Sequence, residues 1–225
     1  MSLQDRLDSL KADFESGKFP LVPTKDMLAT MHRGTAELIA SGQADRALKA
    51  GDKAPSFALN DPDGNPVESA ALLAKGPLVI SFYRGVWCPY CNLELQALQE
   101  VLPEVTARGA SLVAISPQTA PNSRKSQRQN KLDFPILNDT KSEIAHAFGI
   151  RFALNDELVA LYKGFGNDLP VFNADPSWVL PMPARYVIGT DGLIAYAEVN
   201  PDYTRRPDPS ALLPLLDRLR LGAAA

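Results

Sequence analysis

Residues 77–91 read PLVISFYRGVWCPYC, a nearly continuous apolar run that passes directly into two cysteines. Such a run predicts a strand that is buried on both faces. Apolar residues then recur at helical spacing from Leu93 to Leu102, which predicts a helix that Pro103 should kink or end. Cys88 and Cys91 are therefore expected where a strand ends and a helix begins.

This position suits thiol chemistry. A thiol reacts as its thiolate, and the unpaired N–H groups of a helix N-terminus lower the thiol pKa. Pro89 fits the first helical turn, and Cys91 follows one turn later, within reach of a disulfide with Cys88. Two alternatives are inert apolar packing of the cysteines and half of a zinc site. Zinc usually needs four ligands, and neither His32 nor His146 has a Cys or His neighbour to complete such a site.

The remaining pattern predicts an α/β fold. The run 111–116 is a second buried strand, and a strand, helix, strand order implies parallel pairing through a crossover. Further predicted elements are a small hairpin around 56–64, a helix over 69–74, a polar helix over 122–131, a short segment 134–137 before a helix through 144–148, a hairpin over 185–197 and a last helix after Asp208. The stretch 155–178 is irregular, with a helix possible over 158–162.

The first fifty residues read as helical. Leu3, Leu7, Leu10 and Phe14 share one helical face, and Thr24 is the expected N-cap of a second helix. We interpret this stretch as an accessory cover or a contact in a homodimer. The predicted domains are a helical extension over 1–50 and the main domain over 51–225.

Composition excludes several classes of partner. The chain has 225 residues, 45% of them hydrophobic, with a formal net charge of −3 and two cysteines. There is no positive excess to hold nucleic acid or an anionic membrane. The first residues lack the apolar core of a signal peptide and no apolar run approaches the length that spans a bilayer, so we expect neither feature. Because two cysteines so close together do not suggest a secreted disulfide scaffold, we expect a cytoplasmic protein.

The strand, the WCPYC motif, the following helix and the late hairpin resemble the thioredoxin fold, with a central mixed β-sheet flanked by helices. From Gly51 to about Leu219, including the opening GDKAPSF, the chain resembles the peroxiredoxin-like branch of the alkyl hydroperoxide reductase and thiol-specific antioxidant family. The resemblance implies a cysteine that attacks a hydroperoxide, becomes a sulfenic acid and returns through a disulfide. It also implies thioredoxin or a glutaredoxin-type protein as reductant, and no bound cofactor or metal.

The motif departs from that family. Peroxiredoxins usually have a proline seven residues before the attacking cysteine and a threonine or serine three before it. If Cys91 is placed there, Arg84 and Cys88 occupy those positions. A thioredoxin-style reading makes Cys88 the attacking thiol and Cys91 the resolving one. We prefer Cys88 as the attacking thiol, and Cys91 remains the alternative.

Further site residues come from the same resemblance. Thioredoxin-fold proteins place a cis-proline opposite the cysteines, and Pro183 occupies the matching position. Peroxiredoxins generally have an arginine there that lowers the thiol pKa and polarises the peroxide. Here Arg185 lies two residues further on, and Arg84 lies just before the motif. Either arginine could act on the thiolate or the peroxide, and the alternative for each is a surface residue without such a role.

Trp87, Pro89 and Tyr90 are expected to shape the entrance and contact the reductant, with simple packing as the alternative for Trp87. The preferred function is a peroxidase for hydrogen peroxide or organic hydroperoxides. A Cys-Pro-Tyr-Cys pair is also similar to the glutaredoxin site, so a disulfide oxidoreductase is the close alternative. A redox sensor without turnover is the third hypothesis.

Overall fold

The apolar run before the cysteines forms the central strand of the sheet. A computed structural model describes the backbone of residues 1–222 and the side chains as far as residue 220; residues 223–225 of the predicted main domain lie outside this part. Leu78–Phe82 is buried at every position. It pairs in parallel with Ser111–Ser116 and antiparallel with Ala184–Ile188. The predicted mixed sheet is confirmed.

The strands within residues 1–222 are β1 (Ala58–Asn60), β2 (Pro66–Glu68), β3 (Leu78–Phe82), β4 (Ser111–Ser116), β5 (Ile136–Asn138), β6 (Arg151–Ala153), β7 (Val179–Pro181), β8 (Ala184–Ile188) and β9 (Ile194–Val199). Seven of these strands form the main sheet in the order β2-β1-β5-β4-β3-β8-β9, and the other two form a separate pair, β6-β7. Both predicted hairpins, β1-β2 and β8-β9, are antiparallel pairs.

Helices flank the sheet. Most predicted helices are present with similar bounds, but the helix after the cysteines runs over Pro89–Ala107, past Pro103, and the helix Leu169–Asn173 was not predicted. They are α1 (Leu3–Glu15), α2 (Lys25–Ala40), α3 (Gln43–Arg46), α4 (Ser69–Leu73), α5 (Pro89–Ala107), α6 (Ala120–Asn130), α7 (Glu143–Ala147), α8 (Asp156–Gly164), α9 (Leu169–Asn173) and α10 (Leu213–Gly222). Thr24 caps α2 as predicted. Asp208 caps a short 3-10 turn, Pro209–Leu212, that leads into α10.

The first helix belongs to the core. Leu3 and Leu7 are at most 1% exposed and lie in the same apolar cluster as Cys88, Cys91 and Leu95. Burial of two leucines stabilises the fold by about 3–6 kcal/mol. The N-terminal stretch is therefore not only an accessory cover, because α1 contributes side chains to the core that contains the cysteines.

Helix α2 packs against α8 through a close approach at Gly34. A Cβ atom at Gly34 would lie 2.6 Å from a methyl carbon of Leu158, so glycine permits this contact. The close packing of two helices thus explains why a glycine stands inside the predicted second helix. This packing places α8 beside the N-terminal segment.

Two sequence predictions are corrected. Pro103 does not end α5, which continues to Ala107. Val105, beyond the proline, is fully buried, and the Thr106 hydroxyl donates to the carbonyls of Leu102 and Pro103, so packing and capping sustain the last turn. The stretch 155–178, predicted as irregular with a helix over 158–162, lies between β6 and β7 and contains α8 and a second helix, α9, that was not predicted. Within the described residues, no helix is long and apolar enough to cross a membrane.

Candidate active site

Cys88 is the N-cap of α5. Its Sγ accepts a hydrogen bond of 3.4 Å from the backbone N–H of Cys91, and Pro89 occupies the first turn, where its missing N–H costs nothing. Both cysteines are free thiols in this structure, and both are fully buried. The predicted junction of strand and helix therefore places one sulfur on the helix N-terminus and the other one turn inside.

The short loop between β3 and Cys88 is held from both sides. Gln118 accepts from the backbone N–H of Val86 at 2.8 Å, and Asn92 donates to the Val86 carbonyl at 2.9 Å. Gly85 has a φ of +151°, and a Cβ there would lie 2.6 Å from the indole nitrogen of Trp87. These contacts give the loop one conformation, which sets the direction of the Arg84 side chain.

Arg84 contacts the sulfur of Cys88. Its Nη2 donates to Sγ at 3.2 Å, and its Nη1 donates to the hydroxyl of Tyr162 at 2.9 Å. The guanidinium carbon lies 3.9 Å from the ring centre of Tyr203 and 5.2 Å from that of Trp87. Arg84 is 4% exposed, so the alternative of a surface arginine is wrong. In the described part of the chain it pairs with no carboxylate, and Cys88 is its anionic partner.

The two cysteines have opposite proton affinities. Burial disfavours a thiolate at Cys88, but the hydrogen bond from the Cys91 thiol and the charge of Arg84 outweigh it and lower the pKa of Cys88 to about 5. Burial, together with the thiolate of Cys88 beside it, raises the pKa of Cys91 well above the ordinary thiol value. At neutral pH the site therefore holds one thiolate and one thiol that donates to it.

Arg185 lies in a different environment. Its Nη2 forms an ion pair of 2.8 Å with Glu94, and its Nη1 donates to the carbonyl of Pro207. Arg206 takes the other carboxylate oxygen of Glu94 at 2.6 Å. All three side chains are at most 4% exposed, so Arg185 is not a surface residue either. Its hydrogen bonds go to oxygen and not to sulfur, and a direct role on the thiolate stays a prediction without a contact to support it.

Pro183 lies in the wall beside Arg84, but its predicted cis peptide bond is wrong. The Met182–Pro183 bond is trans. Pro183 lies between β7, which ends at Pro181, and β8, which begins at Ala184. Pro183 and Arg84 line the same small cavity of about 30 Å³.

A larger groove of about 350 Å³ is also lined by Arg84. Trp87, Pro89 and Tyr90, the residues predicted at the entrance, all line it, as do Tyr162 and Tyr203. The remaining wall is mostly apolar and comes largely from the N-terminal segment: Leu10, Phe14, Phe19, Pro20, Leu21 and Met31, with Phe165 and Asn167 from the end of α8 and just beyond it. Arg84 is the charged residue in this lining.

Sequence reasoning missed the two tyrosines that hold Arg84 and the carboxylate of Glu94. Tyr162 lies 78 positions along the chain from Arg84 and belongs to no motif, so no local pattern points to it. Glu94 carried one signal, because it lies one turn after Cys91 on a face that is otherwise apolar. The two histidines, His32 and His146, are exposed. Among the described residues, no three His, Cys, Asp or Glu side chains are grouped as metal ligands would be.

Comparisons with known proteins agree with the fold and identify the family. The model of the AhpC/TSA family matches residues 50–197, about two thirds of the chain. A Mycobacterium tuberculosis protein named as a peroxiredoxin is 30% identical over 116 residues, covering 52% of this chain and 75% of that protein. Thiol-disulfide oxidoreductase ResA from Bacillus thuringiensis is 26% identical over 107 residues, covering 47% of this chain and 61% of the relative.

Among solved structures, peroxidoxin BcpB from Mycobacterium tuberculosis superposes with a TM-score of 0.59 at 23% identity, covering 78% of this chain and 97% of that one. At this identity the likeness shows the fold alone, and the fold is the expected one. The match over residues 50–197 begins where the sequence changes from helical to strand-rich, and it contains both cysteines and both arginines. The chain belongs to the AhpC/TSA family, as a peroxiredoxin-like member with the thioredoxin fold.

Proposed function

We propose that this chain is a thiol peroxidase in which Cys88 attacks the hydroperoxide and Cys91 resolves the product. The observation that carries the proposal is the contact of 3.2 Å between the Arg84 guanidinium and the Cys88 sulfur, in a buried site where no carboxylate of the described residues pairs with Arg84. A thiolate held in this way is present at neutral pH, as nucleophilic attack requires. Membership of the family supports peroxide as the electrophile.

The reaction proceeds in three balanced steps. The Cys88 thiolate attacks the terminal, hydrogen-bearing oxygen of ROOH; the O–O bond breaks, an S–O bond forms, and the RO⁻ group leaves as ROH after taking up a proton. The Cys91 thiol then attacks the sulfenic sulfur, which forms the disulfide and releases water. A reduced dithiol protein returns both cysteines to thiols and becomes oxidised itself.

The groove favours organic hydroperoxides over hydrogen peroxide. Arg84 provides donors at one end, and Phe14, Phe19 and Phe165 provide apolar surface along the walls. A volume of about 350 Å³ exceeds what hydrogen peroxide fills and is within the usual size of small-molecule pockets, roughly 300–1,000 Å³. The hydroperoxide group would lie at Arg84 and the apolar body along the aromatic wall.

The reductant in this proposal is thioredoxin or a glutaredoxin-type protein, which would approach at Pro89 and Trp87. Pro89 is exposed beside the pair, and Trp87 is half-buried. A cytoplasmic location and a homodimer built on the N-terminal helices stay predictions.

A disulfide oxidoreductase is the second candidate. The specific observation in its favour is the low pKa of Cys88 opposite the high pKa of Cys91 in one Cys-Pro-Tyr-Cys turn, an arrangement that suits dithiol exchange without any peroxide. The likeness to ResA supports the same chemistry.

Stopped-flow oxidation separates the two candidates. Reduced wild type, Cys88→Ser and Cys91→Ser are mixed with hydrogen peroxide or cumene hydroperoxide, and the thiol products are identified by mass spectrometry. We expect fast oxidation in the wild type, no fast phase in Cys88→Ser, and a trapped sulfenic acid without disulfide in Cys91→Ser. Slow oxidation in all three, with rapid reduction of a mixed-disulfide peptide by the wild type, would instead establish the oxidoreductase.

A further inference from the structure

One guanidinium group holds the thiolate and a phenol side by side. Arg84 donates from Nη2 to the sulfur of Cys88 and from Nη1 to the hydroxyl of Tyr162. Arg84 and Tyr162 both line the groove of about 350 Å³. Cys88 is fully buried and does not itself line the groove, so a hydroperoxide in the groove meets Arg84, which holds the Cys88 sulfur, together with Tyr162.

Several hydrogen-bond donors around this point have no protein acceptor. In the described hydrogen bonds, the Tyr162 oxygen accepts from Arg84 while its own O–H has no acceptor. The buried Nε of Arg84 and Nε1 of Trp87 also lack a partner in the described part of the chain. Unpaired buried donors are costly. Their grouping suits a ligand whose two adjacent oxygens accept hydrogen bonds, as a hydroperoxide does.

We propose that Tyr162 is a catalytic residue whose hydroxyl donates its proton to the oxygen that leaves when Cys88 attacks the hydroperoxide. The proposal rests on the peroxidase function above. As the O–O bond breaks, the Cys88 sulfur bonds to the terminal, hydrogen-bearing oxygen, and the oxygen attached to R takes the Tyr162 proton, so ROH leaves as a neutral alcohol. The phenolate that remains regains a proton from solvent.

The surroundings of Tyr162 fit this task. Burial raises the pKa of Tyr162, so the phenol is protonated at neutral pH. A departing alkoxide or hydroxide is a much stronger base than a phenolate, so the proton transfer is downhill. Arg84, already bonded to the phenol oxygen, stabilises the phenolate when it forms. The ring is held by an edge contact with Trp87 at 5.4 Å between centroids.

The test compares leaving groups in the Tyr162→Phe variant, which keeps the ring and removes the hydroxyl. Hydrogen peroxide and tert-butyl hydroperoxide release strong bases that need a proton, whereas peracetic acid releases acetate, which does not. We expect the rate of Cys88 oxidation to fall by about 100-fold with the first two, the usual size of a general-acid effect. With peracetic acid we expect less than about a fivefold change.

A purely positional role for Tyr162 would act through Arg84 and hence through the Cys88 thiolate. The thiolate fraction is therefore measured for each variant by its absorbance near 240 nm across pH, and rates are expressed per thiolate. Tyr203→Phe is the matched comparison, because it removes a phenol hydroxyl from the residue whose ring stacks on the same guanidinium. Any loss there should be the same for all three oxidants.

The outcomes are distinct. An equal loss for all three oxidants in Tyr162→Phe, or an unchanged rate with hydrogen peroxide, overturns the role of Tyr162 and leaves the peroxidase intact. A wild type that reacts slowly with all three oxidants overturns the peroxidase and the role of Tyr162 together. A loss confined to hydrogen peroxide and tert-butyl hydroperoxide supports the proposal.

Discussion

Arg84 and Arg185 are both buried arginines of this domain, and they differ in the groups that accept hydrogen bonds from their guanidinium groups. Arg185 shares Glu94 with Arg206, in ion pairs of 2.8 and 2.6 Å. Arg84 lies among aromatic rings, bonded to one phenol and one sulfur. One arginine is neutralised by a carboxylate, while the other obtains its counter-charge from a cysteine.

The difference explains which arginine can serve the chemistry. A buried cation is costly unless an anion accompanies it. Glu94 remains ionised because the charges of Arg206 and Arg185 outweigh its burial and lower its pKa. No carboxylate reaches Arg84 in the described residues, so ionisation of Cys88 is the available way to pair it. Residue type alone does not distinguish the two roles; the neighbouring acceptor does.

The largest expected effect is the loss of stability when the charge of the Glu94 carboxylate is removed. Glu94→Gln leaves Arg185 and Arg206 buried without an anion, and the free energy of unfolding should fall by about 3–5 kcal/mol. Urea denaturation measures it. Glu104→Gln is the matched control on the same helix, because Glu104 is exposed and pairs with Arg108 at the surface, where the loss should stay below about 1 kcal/mol. Equal losses in the two variants would show that the buried cluster is not structural.

The next effect concerns reactivity at Arg84. Arg84→Met should raise the pKa of Cys88 from about 5 towards the ordinary thiol range. Oxidation by hydrogen peroxide at pH 6 should then slow by about 100-fold, because little thiolate remains. Absorbance near 240 nm gives the pKa, and stopped flow gives the rate.

Arg185→Met sharpens the same comparison. It should destabilise the fold yet leave Cys88 ionised at pH 7, since its hydrogen bonds go to Glu94 and Pro207. If Arg185→Met raised the pKa of Cys88 as much as Arg84→Met does, the two arginines would share the task that the sequence left open between them.

Stability should also depend on pH through Cys88. Its folded pKa of about 5 lies below the ordinary value of 9.0, so the unfolded chain takes up a proton first as pH falls. The thiolate contribution is complete above about pH 9 and is lost as pH falls towards 5. Relative to Cys88→Ser, the wild type should lose up to a few kcal/mol over this window, because each tenfold difference in proton affinity between the folded and unfolded chain corresponds to about 1.4 kcal/mol. Parallel curves for the two proteins would contradict the low pKa.

The smallest effect is on substrate choice. Phe14→Ala removes the ring that contacts Phe19 and Phe165 at centroid distances of 6.0 and 6.4 Å and opens the apolar wall. The rate with cumene hydroperoxide should fall by about three- to tenfold, equivalent to about 1 kcal/mol, while the rate with hydrogen peroxide stays the same. Equal changes for both oxidants would show that the wall does not hold the substrate.

Local patterns in the sequence predicted most of the fold. The apolar run of β3, the turns of the hairpins, the Thr24 cap and the strand-to-helix position of Cys88 all depend on residues close in the chain. One error arose where packing outweighs a local preference, because Pro103 remains inside α5 and Val105 packs in the core beyond it. The other came from the resemblance, which implied a cis peptide bond at Pro183, whereas the bond is trans.

The sequence by itself determined the dithiol at the start of a helix and the strands of the sheet behind it, because spacing and alternation carry that information, and the resemblance of its motifs indicated the family. Only the tertiary structure decided that Arg84 and not Arg185 touches Cys88, that Tyr162 joins them across 78 positions, and that the N-terminal segment builds the groove wall. The physical reason is that the role of a buried arginine depends on which acceptors pack against it. Packing brings together residues that no local sequence pattern connects.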